Sequence, residues 1–410
     1  MISTSNLIQN EITHIVESLY GLNDMEFKIE HPANESFGDY ACNVALVLSK
    51  QLKQSPMEIA KAVSYRISES PLVKEHPVLI SSVSIVAPGF INMKISDIWL
   101  RNLLTEVLER KNTYGSCDLG KGFRIALEHS NVNPNKAAHV GHLRNACVGQ
   151  FLERVYEFLG YDVEVQYYAN NVGVQVATSN MGLTRIRDIS PAPYKKFDHY
   201  AWDVYAAMES QINQSEELKE SRQQLLKKLE DPTSPEFKTQ KELADKILLE
   251  QLKTFSSLNI DYDVVIYESD ILNLKMWEKA FAYLKSNPNV YKATEGASEG
   301  CWLVKMGDEQ VSASEEQGRQ GDQIEKDKII VRSNGIPTYT GKDIAYHMWK
   351  FGLLDLDFNY KPWDTGTQTK TLWRTTSDAA DRSDISFSNV NFVFDVIGME
   401  QTYAMEAVKK

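Results

Sequence analysis

The spacing of apolar positions changes twice between Phe123 and Gly160. Phe123–His129 (FRIALEH) is a short apolar run with a β-branched centre, which predicts a buried strand. Ser130–Ala138 is rich in Asn and Pro and predicts a loop. From His139 onward, Leu143, Cys147, Phe151, Val155 and Phe158 recur at three- and four-residue spacing, one apolar stripe of a helix that Gly160 stops. Strand, polar loop and helix in that order make half of a βαβ unit. Its helix N-terminus falls at the carboxyl edge of a parallel sheet, where anionic ligands bind.

The same reading divides the rest of the chain. Residues 1–110 predict a small α+β domain. Its helices are Ile2–Leu22, Ala41–Gln54, Ile59–Ser70 and Ile95–Arg110, with strands at Met25–Glu30 and Val78–Val86 and a turn at Pro88–Asn92 leading into a third. Residues 111–121 are polar and glycine-bearing and read as a linker. Residues 122–410 then predict an α/β domain with a Rossmann-like parallel sheet. Val163, Val165 and Tyr167 alternate as its second strand, with Asn170, Asn171, Gly173 and Gln175 at the carboxyl end. Residues 181–262 read as a helical insertion. Ile260–Ser269 is strand-like, Ile271–Ser286 helical, and Trp302–Met306 and Ile329–Val331 are short strands. Asp308–Lys328 reads as a polar surface loop. A turn at Asn334-Gly335 precedes a helix near Thr340, whose first turn puts Tyr339 and Asp343 on one face. Residues 353–388 fit no element and read as an excursion from the sheet, and Asn391–Gly398 is a last strand. The final AMEAVKK reads as the inside of a helix, so the catalytic domain is expected to be C-terminally truncated.

Composition narrows this picture little. The 410 residues are 42% hydrophobic, as in a protein with a large core, and no run approaches the ~18 apolar residues of a membrane span. The N-terminus is an amphipathic helix without the basic and apolar regions of a secretory signal. Cys42, Cys117, Cys147 and Cys301 show no C-x-x-C spacing. No zinc or other metal site is expected, and a reducing cytoplasm suits them. A net charge of −12 argues against a generally basic nucleic-acid binder, though a basic stripe on an acidic protein would suffice.

The chemistry gathers at His139-Val140-Gly141-His142. Two imidazoles three residues apart share a helical face and can donate to phosphate oxygens. Gly141 removes a side chain where a nucleotide must approach the backbone. Lys136, just upstream, supplies a mobile point charge. The alternatives are a metal pair or two solvated histidines at a helix start.

The stretch EHSNVNPNKAAHVGHLRNACVGQ resembles the nucleotide-binding element of class I aminoacyl-tRNA synthetases, and is most similar to that of arginyl-tRNA synthetases. FGDYACNVAL and PGFIN resemble the N-terminal additional domain of that family, which docks on the elbow of tRNA; Phe90 and Asn92 are the candidate RNA contacts. The resemblance implies an arginine–tRNA ligase that activates L-arginine with Mg-ATP to arginyl-adenylate and transfers it to the 3′ end of tRNA(Arg). His139, Gly141, His142 and Lys136 would bind ATP, with His139, His142 and Lys136 catalytic. Recognition of a guanidinium needs carboxylates and an aromatic ring. Glu128, Tyr339 and Asp343 match the family's side-chain pocket, and Asn133 and Gln401 match the residues that hold the α-amino and α-carboxylate groups. Two family features are missing from these residues, a Lys-Met-Ser-Lys loop and an all-helical anticodon-binding domain. A monomer is expected, and the chain alone should be marginally stable and form little arginyl-tRNA. The rival readings are another His-x-Gly-His nucleotidyltransferase and a non-catalytic tRNA-binding fragment.

Overall fold

The computed structural model describes residues 3–75, 78–229, 231–306, 327–366, 369–381 and 384–410. They form two compact units, Met1–Cys117 and Asp118–Lys410.

The first unit runs α1 (Thr4–Tyr20), β1 (Ile29–Glu30), β2 (Tyr40–Cys42), α2 (Val44–Leu52), α3 (Pro56–Glu69), α4 (Pro71–Lys74), β3 (Ile80–Val86), β4 (Phe90–Ile95) and α5 (Asp97–Arg110). Its antiparallel sheet has the order β1-β2-β4-β3. Ile8, Ile12 and Val16 of α1, Leu48 of α2 and Val63 of α3 pack with Ile91 and Met93 of β4. Ala41, expected in a helix, is in β2 instead. Tyr40, Ala41 and Cys42 pair with Met93, Asn92 and Ile91, and this ladder delays the helix to Val44. The Met25–Glu30 strand shrinks to its last two residues.

The second unit opens with β5 (Arg124–Glu128), α6 (Val140–Phe158) and β6 (Asp162–Ala169). Four helices follow: α7 (Val174–Arg185), α8 (Phe197–Gln214), α9 (Glu216–Lys228) and α10 (Pro235–Ser256). Next come β7 (Val264–Tyr267), α11 (Glu268–Asn273), α12 (Met276–Leu284), β8 (Val290–Lys292), β9 (Trp302–Val304), β10 (Lys328–Val331) and α13 (Tyr339–Lys350). The last elements are β11 (Asn359–Pro362), β12 (Trp373–Thr376), β13 (Phe392–Asp395) and α14 (Thr402–Lys409). The main sheet has the order β11-β12-β7-β6-β5-β13, parallel except for β11. Strands β8, β9 and β10 form a separate antiparallel sheet.

Three expectations need correction. Residues 353–388 are no excursion: they supply β11 and β12 of the main sheet. The predicted helix Ile271–Ser286 is two helices, broken at Lys275 with φ 55°. The stripe of α6 points the other way, for Leu143, Cys147, Phe151 and Phe158 are exposed while Ala146, Gly149 and Glu153 are buried. The expected loop Asp308–Lys328 lies outside the described residues up to 326, and Lys328 opens β10.

The close approach of α6 to the end of β5 explains its buried face. A Cβ at Gly149 would lie 2.2 Å from His129 Cδ2. Glu153 is tolerated inside because Lys370 Nζ meets it at 3.1 Å and Asp263 at 2.8 Å. Gly149→Ala should therefore destabilise the unit by about 1–3 kcal/mol through overpacking. A lowered urea midpoint at constant slope would show it, whereas an unchanged midpoint would mean that the helix shifts freely.

Candidate active site

From β5 the chain builds β6 and β7 on one side, and only its last strand, β13, returns to the other side. The crevice beyond the carboxyl ends of β5 and β13 is thus the topological switch point of the sheet, where ligands bind in such folds. A cavity of about 2860 Å³ opens there. Its wall includes Glu128, Asn133, His139, His142, Asp343 and Gln401.

At one end stands the N-terminus of α6. Gly141 N–H donates to His139 Nδ1 at 3.2 Å, and His139 N–H donates to His142 Nδ1 at 3.2 Å. The two histidines cap their own helix, with ring centroids 3.7 Å apart. Because each Nδ1 accepts, each Nε2 carries the proton and is the group left to donate. Burial, then His139 and Lys136, push the His142 imidazole down to about 4, so it is neutral at pH 7. Two neutral N–H donors at a helix N-terminus form a receptor for phosphate oxygens.

Four carboxylates occupy the other end. Glu128 and Asp395 are register partners at the tips of β5 and β13. Lys350, fully buried in the last turn of α13, reaches Glu128 Oε2 at 2.5 Å and Asp395 Oδ1 at 3.0 Å. Burial pulls Lys350 down, but the two carboxylates outweigh it and hold it above the ordinary lysine range. Burial would likewise raise Asp395, yet Lys350 and His347 keep it well below the usual carboxylate range. Glu268, buried at the start of α11, accepts from Lys342 at 2.5 Å and from the Tyr168 hydroxyl at 3.0 Å. Asp343 differs. Among the described residues its carboxylate makes no hydrogen bond or ion pair, and burial, opposed by His347 and reinforced by Glu128 and Glu268, pushes it up to about 7. A partly buried acid that faces a cavity without a partner is a receptor for a cation.

The loop between β5 and α6 joins the two ends. Ser130 and Asn131 have positive φ. Asn131 holds the turn, donating to Glu128 Oε1 at 2.5 Å and accepting from Tyr168 N–H at 2.9 Å. Gln251 of α10 donates to the carbonyls of Asn133 at 3.1 Å and Lys136 at 2.6 Å, and the Tyr167 hydroxyl accepts from Val132 N–H at 3.1 Å. These side chains satisfy a loop that would otherwise bury unpaired backbone groups. Asn133 Nδ2 donates to Gln175 Oε1 at 2.8 Å, so two residues singled out from the sequence meet. Lys136 stands apart. It is not in the cavity wall, and its ammonium rests 5.8 Å from the centroid of the Trp202 ring on α8. Tyr339 lines the cavity but is 67% exposed, unlike Asp343 one turn on. In the first unit the Phe90 ring is partly exposed, whereas Asn92 is only 3% exposed and presents no surface for RNA.

Residues 103–359 match the family model described as tRNA synthetases class I (R), catalytic domain, and residues 6–95 match the arginyl tRNA synthetase N terminal domain. The chain belongs to the class I tRNA synthetases of the arginine type. It is 33% identical over 412 residues to an arginine–tRNA ligase of Pyrococcus abyssi and 31% identical over 414 residues to one of Thermococcus sibiricus. Both alignments cover 98% of this chain and 62% of the relative, so the chain spans about three-fifths of their length. The Thermus thermophilus arginyl-tRNA synthetase shares the fold, with a TM-score of 0.71 at 24% identity over 99% of this chain and 62% of that one. Membership displaces the reading as an unrelated His-x-Gly-His nucleotidyltransferase. Among the described residues no helix is long and apolar enough to cross a membrane.

Sequence reasoning passed over Glu268, His347, Lys350 and Asp395. A signal existed for two of them: Glu268 and Asp395 each sit at the carboxyl end of a strand-like run, where ligand-binding residues of open α/β sheets collect. Lys350 and His347 carried none, being ordinary basic residues of a helix end.

Proposed function

We propose that this chain is the arginine- and ATP-binding part of an arginine–tRNA ligase. The observation that supports it best is one cavity with neutral imidazole donors at one end and the unpartnered Asp343 at the other. The guanidinium of L-arginine enters the acidic end, with Asp343 as its free partner, Glu128 and Glu268 beside it and the Tyr339 ring at the mouth. Asn133 and Gln401 hold the α-amino and α-carboxylate groups. ATP lays its phosphates against His139 and His142, with Gly141 leaving room for the nucleotide. Magnesium enters with the nucleotide.

The arginine carboxylate then attacks the α-phosphate, pyrophosphate leaves, and the Nε2–H groups of His139 and His142 stabilise the charge that builds on phosphate oxygens. The terminal ribose hydroxyl of tRNA(Arg) takes the arginyl group in the second step. Lys136 must leave Trp202 to reach the triphosphate. Phe90 offers a ring for stacking on tRNA; the buried Asn92 supports β4.

ATP–pyrophosphate exchange by the chain, with each amino acid in turn and with or without tRNA, tests this reading. Exchange dependent on arginine alone is expected. Exchange driven equally by another amino acid would refute the arginine assignment. Retention of tRNA without exchange for any amino acid would leave an RNA-binding role and refute catalysis.

A further inference from the structure

The helical insertion meets Lys136 twice, once at its main chain and once at its side chain. Gln251 of α10 fixes the main chain. Its fully buried side chain accepts from the Tyr167 hydroxyl at 2.9 Å and donates to the Lys136 carbonyl at 2.6 Å. Trp202 of α8 meets the side chain. The ammonium lies 5.8 Å from the ring centroid, within the ~6 Å reach of a cation–π contact. The Trp202 ring is stacked in turn on Tyr205, with centroids 5.3 Å and planes 20° apart. Tyr205 lines the cavity, whereas Trp202 and Lys136 do not. Helices α8 and α10 form one frame. Lys196, the N-cap of α8, donates to the Glu250 carbonyl of α10 at 2.8 Å and to the Thr254 hydroxyl, and pairs with the fully buried Asp198 at 3.1 Å. The buried Val204, Met208 and Ile212 hold α8 in its own apolar cluster. Main chain and ring are therefore fixed, and the four-carbon stem of Lys136 is the part that can move. Among the described residues its ammonium makes no hydrogen bond and no ion pair. Its charge still bears on His142, whose imidazole it helps to lower. The ring thus holds a cation beside the phosphate end without placing it there.

We propose that Trp202 is a positioning residue, a berth that keeps the Lys136 ammonium out of the cavity until a triphosphate draws it in. The inference rests on the nucleotide reading of Lys136 above. A ring face offers the ammonium a weak contact, whereas a phosphate oxygen offers a full charge and a charge-assisted hydrogen bond. The exchange therefore runs towards the nucleotide once it is bound, and no covalent bond changes. Because the ring contact is given up on binding, it lowers the affinity for ATP by its own strength. The insertion thereby has a part in the chemistry of the site although its helices carry no group that touches the phosphates.

Equilibrium binding of Mg-ATP to the full chain tests this in the parent, Trp202→Ala, Trp202→Phe, Lys136→Met, and Lys136→Met combined with Trp202→Ala. Trp202 is 41% exposed, so its variants should fold. Trp202→Ala should tighten ATP about two- to fivefold, the worth of one exposed cation–π contact. Trp202→Phe, whose ring attracts a cation less, should fall between it and the parent. Lys136→Met should weaken ATP roughly tenfold to a hundredfold, as for a lost hydrogen bond to a charged group. In the Lys136→Met chain, Trp202→Ala should change nothing further, whereas a merely structural ring would act there as well. Arginine affinity should be the same in all five chains. Trp202→Ala with parental or weaker ATP binding, beside a weakened Lys136→Met, would overturn the berth and leave the reading of Lys136 intact. The same gain from Trp202→Ala with and without Lys136, or a parallel change in arginine affinity, would also overturn it. Lys136→Met at parental ATP affinity would remove Lys136 from the nucleotide site, and the berth with it.

Discussion

Replacing Asp343 with Asn is expected to abolish useful arginine binding and to make the folded chain more stable. The two effects share one cause. The carboxyl of Asp343 is partly buried and, among the described residues, without a partner, and its ionisation is pushed up to about 7 from an ordinary 3.8. A group raised in the folded state stabilises the fold, relative to its ionised form, below its unfolded value, and that contribution is lost as pH rises through the folded value. Above pH 7 Asp343 therefore sits ionised at a cost of up to about 4 kcal/mol, from roughly three pKa units at 1.36 kcal/mol each. Asn keeps the shape and removes that cost. The gain in melting temperature should be near zero around pH 4 and largest at pH 8. Arginine affinity should meanwhile fall by about 2–5 kcal/mol, or roughly thirtyfold to several-thousandfold, as for a charged partner lost from a buried pair. ATP affinity should hardly move. Equal losses for arginine and ATP, or a lower melting temperature at pH 8, would make Asp343 a structural residue and undo the pocket. Glu128→Gln is the poorer probe, because Lys350 would lose one of its two partners and the fold would suffer with the site.

Much of this architecture is visible in the chain, and the failures have physical causes. The unit β5–loop–α6 was legible because its apolar spacing changes from a run to a helical period with a polar gap between. The direction of α6 was not. Periodicity finds a stripe, but the face pressed on the sheet is made of Ala146, Gly149 and Glu153, chosen for closeness to His129 and for the Lys370 ion pair. Strand β12 escaped because Trp373–Thr376 buries threonines rather than aliphatics. Thr375 and Thr376 are buried, and the Thr375 hydroxyl donates to Asp270 Oδ2 at 2.8 Å. In the site, the phosphate end was legible because its residues are contiguous. The acidic end depends on pairs far apart in sequence, such as Lys350 with Glu128 across 222 positions, and no local pattern announces them.

The other large effect lies at the phosphate end, where stability and chemistry can be separated. His139 and His142 each do two things. Through Nδ1 His139 accepts from Gly141 N–H in the first turn of α6 and His142 accepts from the N–H of His139 at the N-cap, and through Nε2 both offer donors to the cavity. Alanine would remove both, and the lost cap alone would cost the helix about 1 kcal/mol. Asparagine places a carbonyl oxygen close to where Nδ1 stood, and at the N-cap position of His139 it is a favoured residue, but its amide does not reach the position of Nε2. His139→Asn and His142→Asn should therefore keep the melting temperature near that of the parent chain. Each should slow single-turnover formation of arginyl-adenylate about a hundredfold, the ~3 kcal/mol expected for one preorganised donor to a developing oxyanion. Arginine affinity should stay unchanged, since the acidic end is untouched. The pH profile adds an independent check. His142 is held down to about 4, so it is a neutral donor throughout the range where the enzyme would work. The rate should show no loss from His142 protonation above pH 5. A falling limb between pH 6 and 7 that disappears in His142→Asn would mean that the ring gains charge in use. Adenylate formation at the parental rate in both asparagine variants would leave these histidines as helix caps and nothing more.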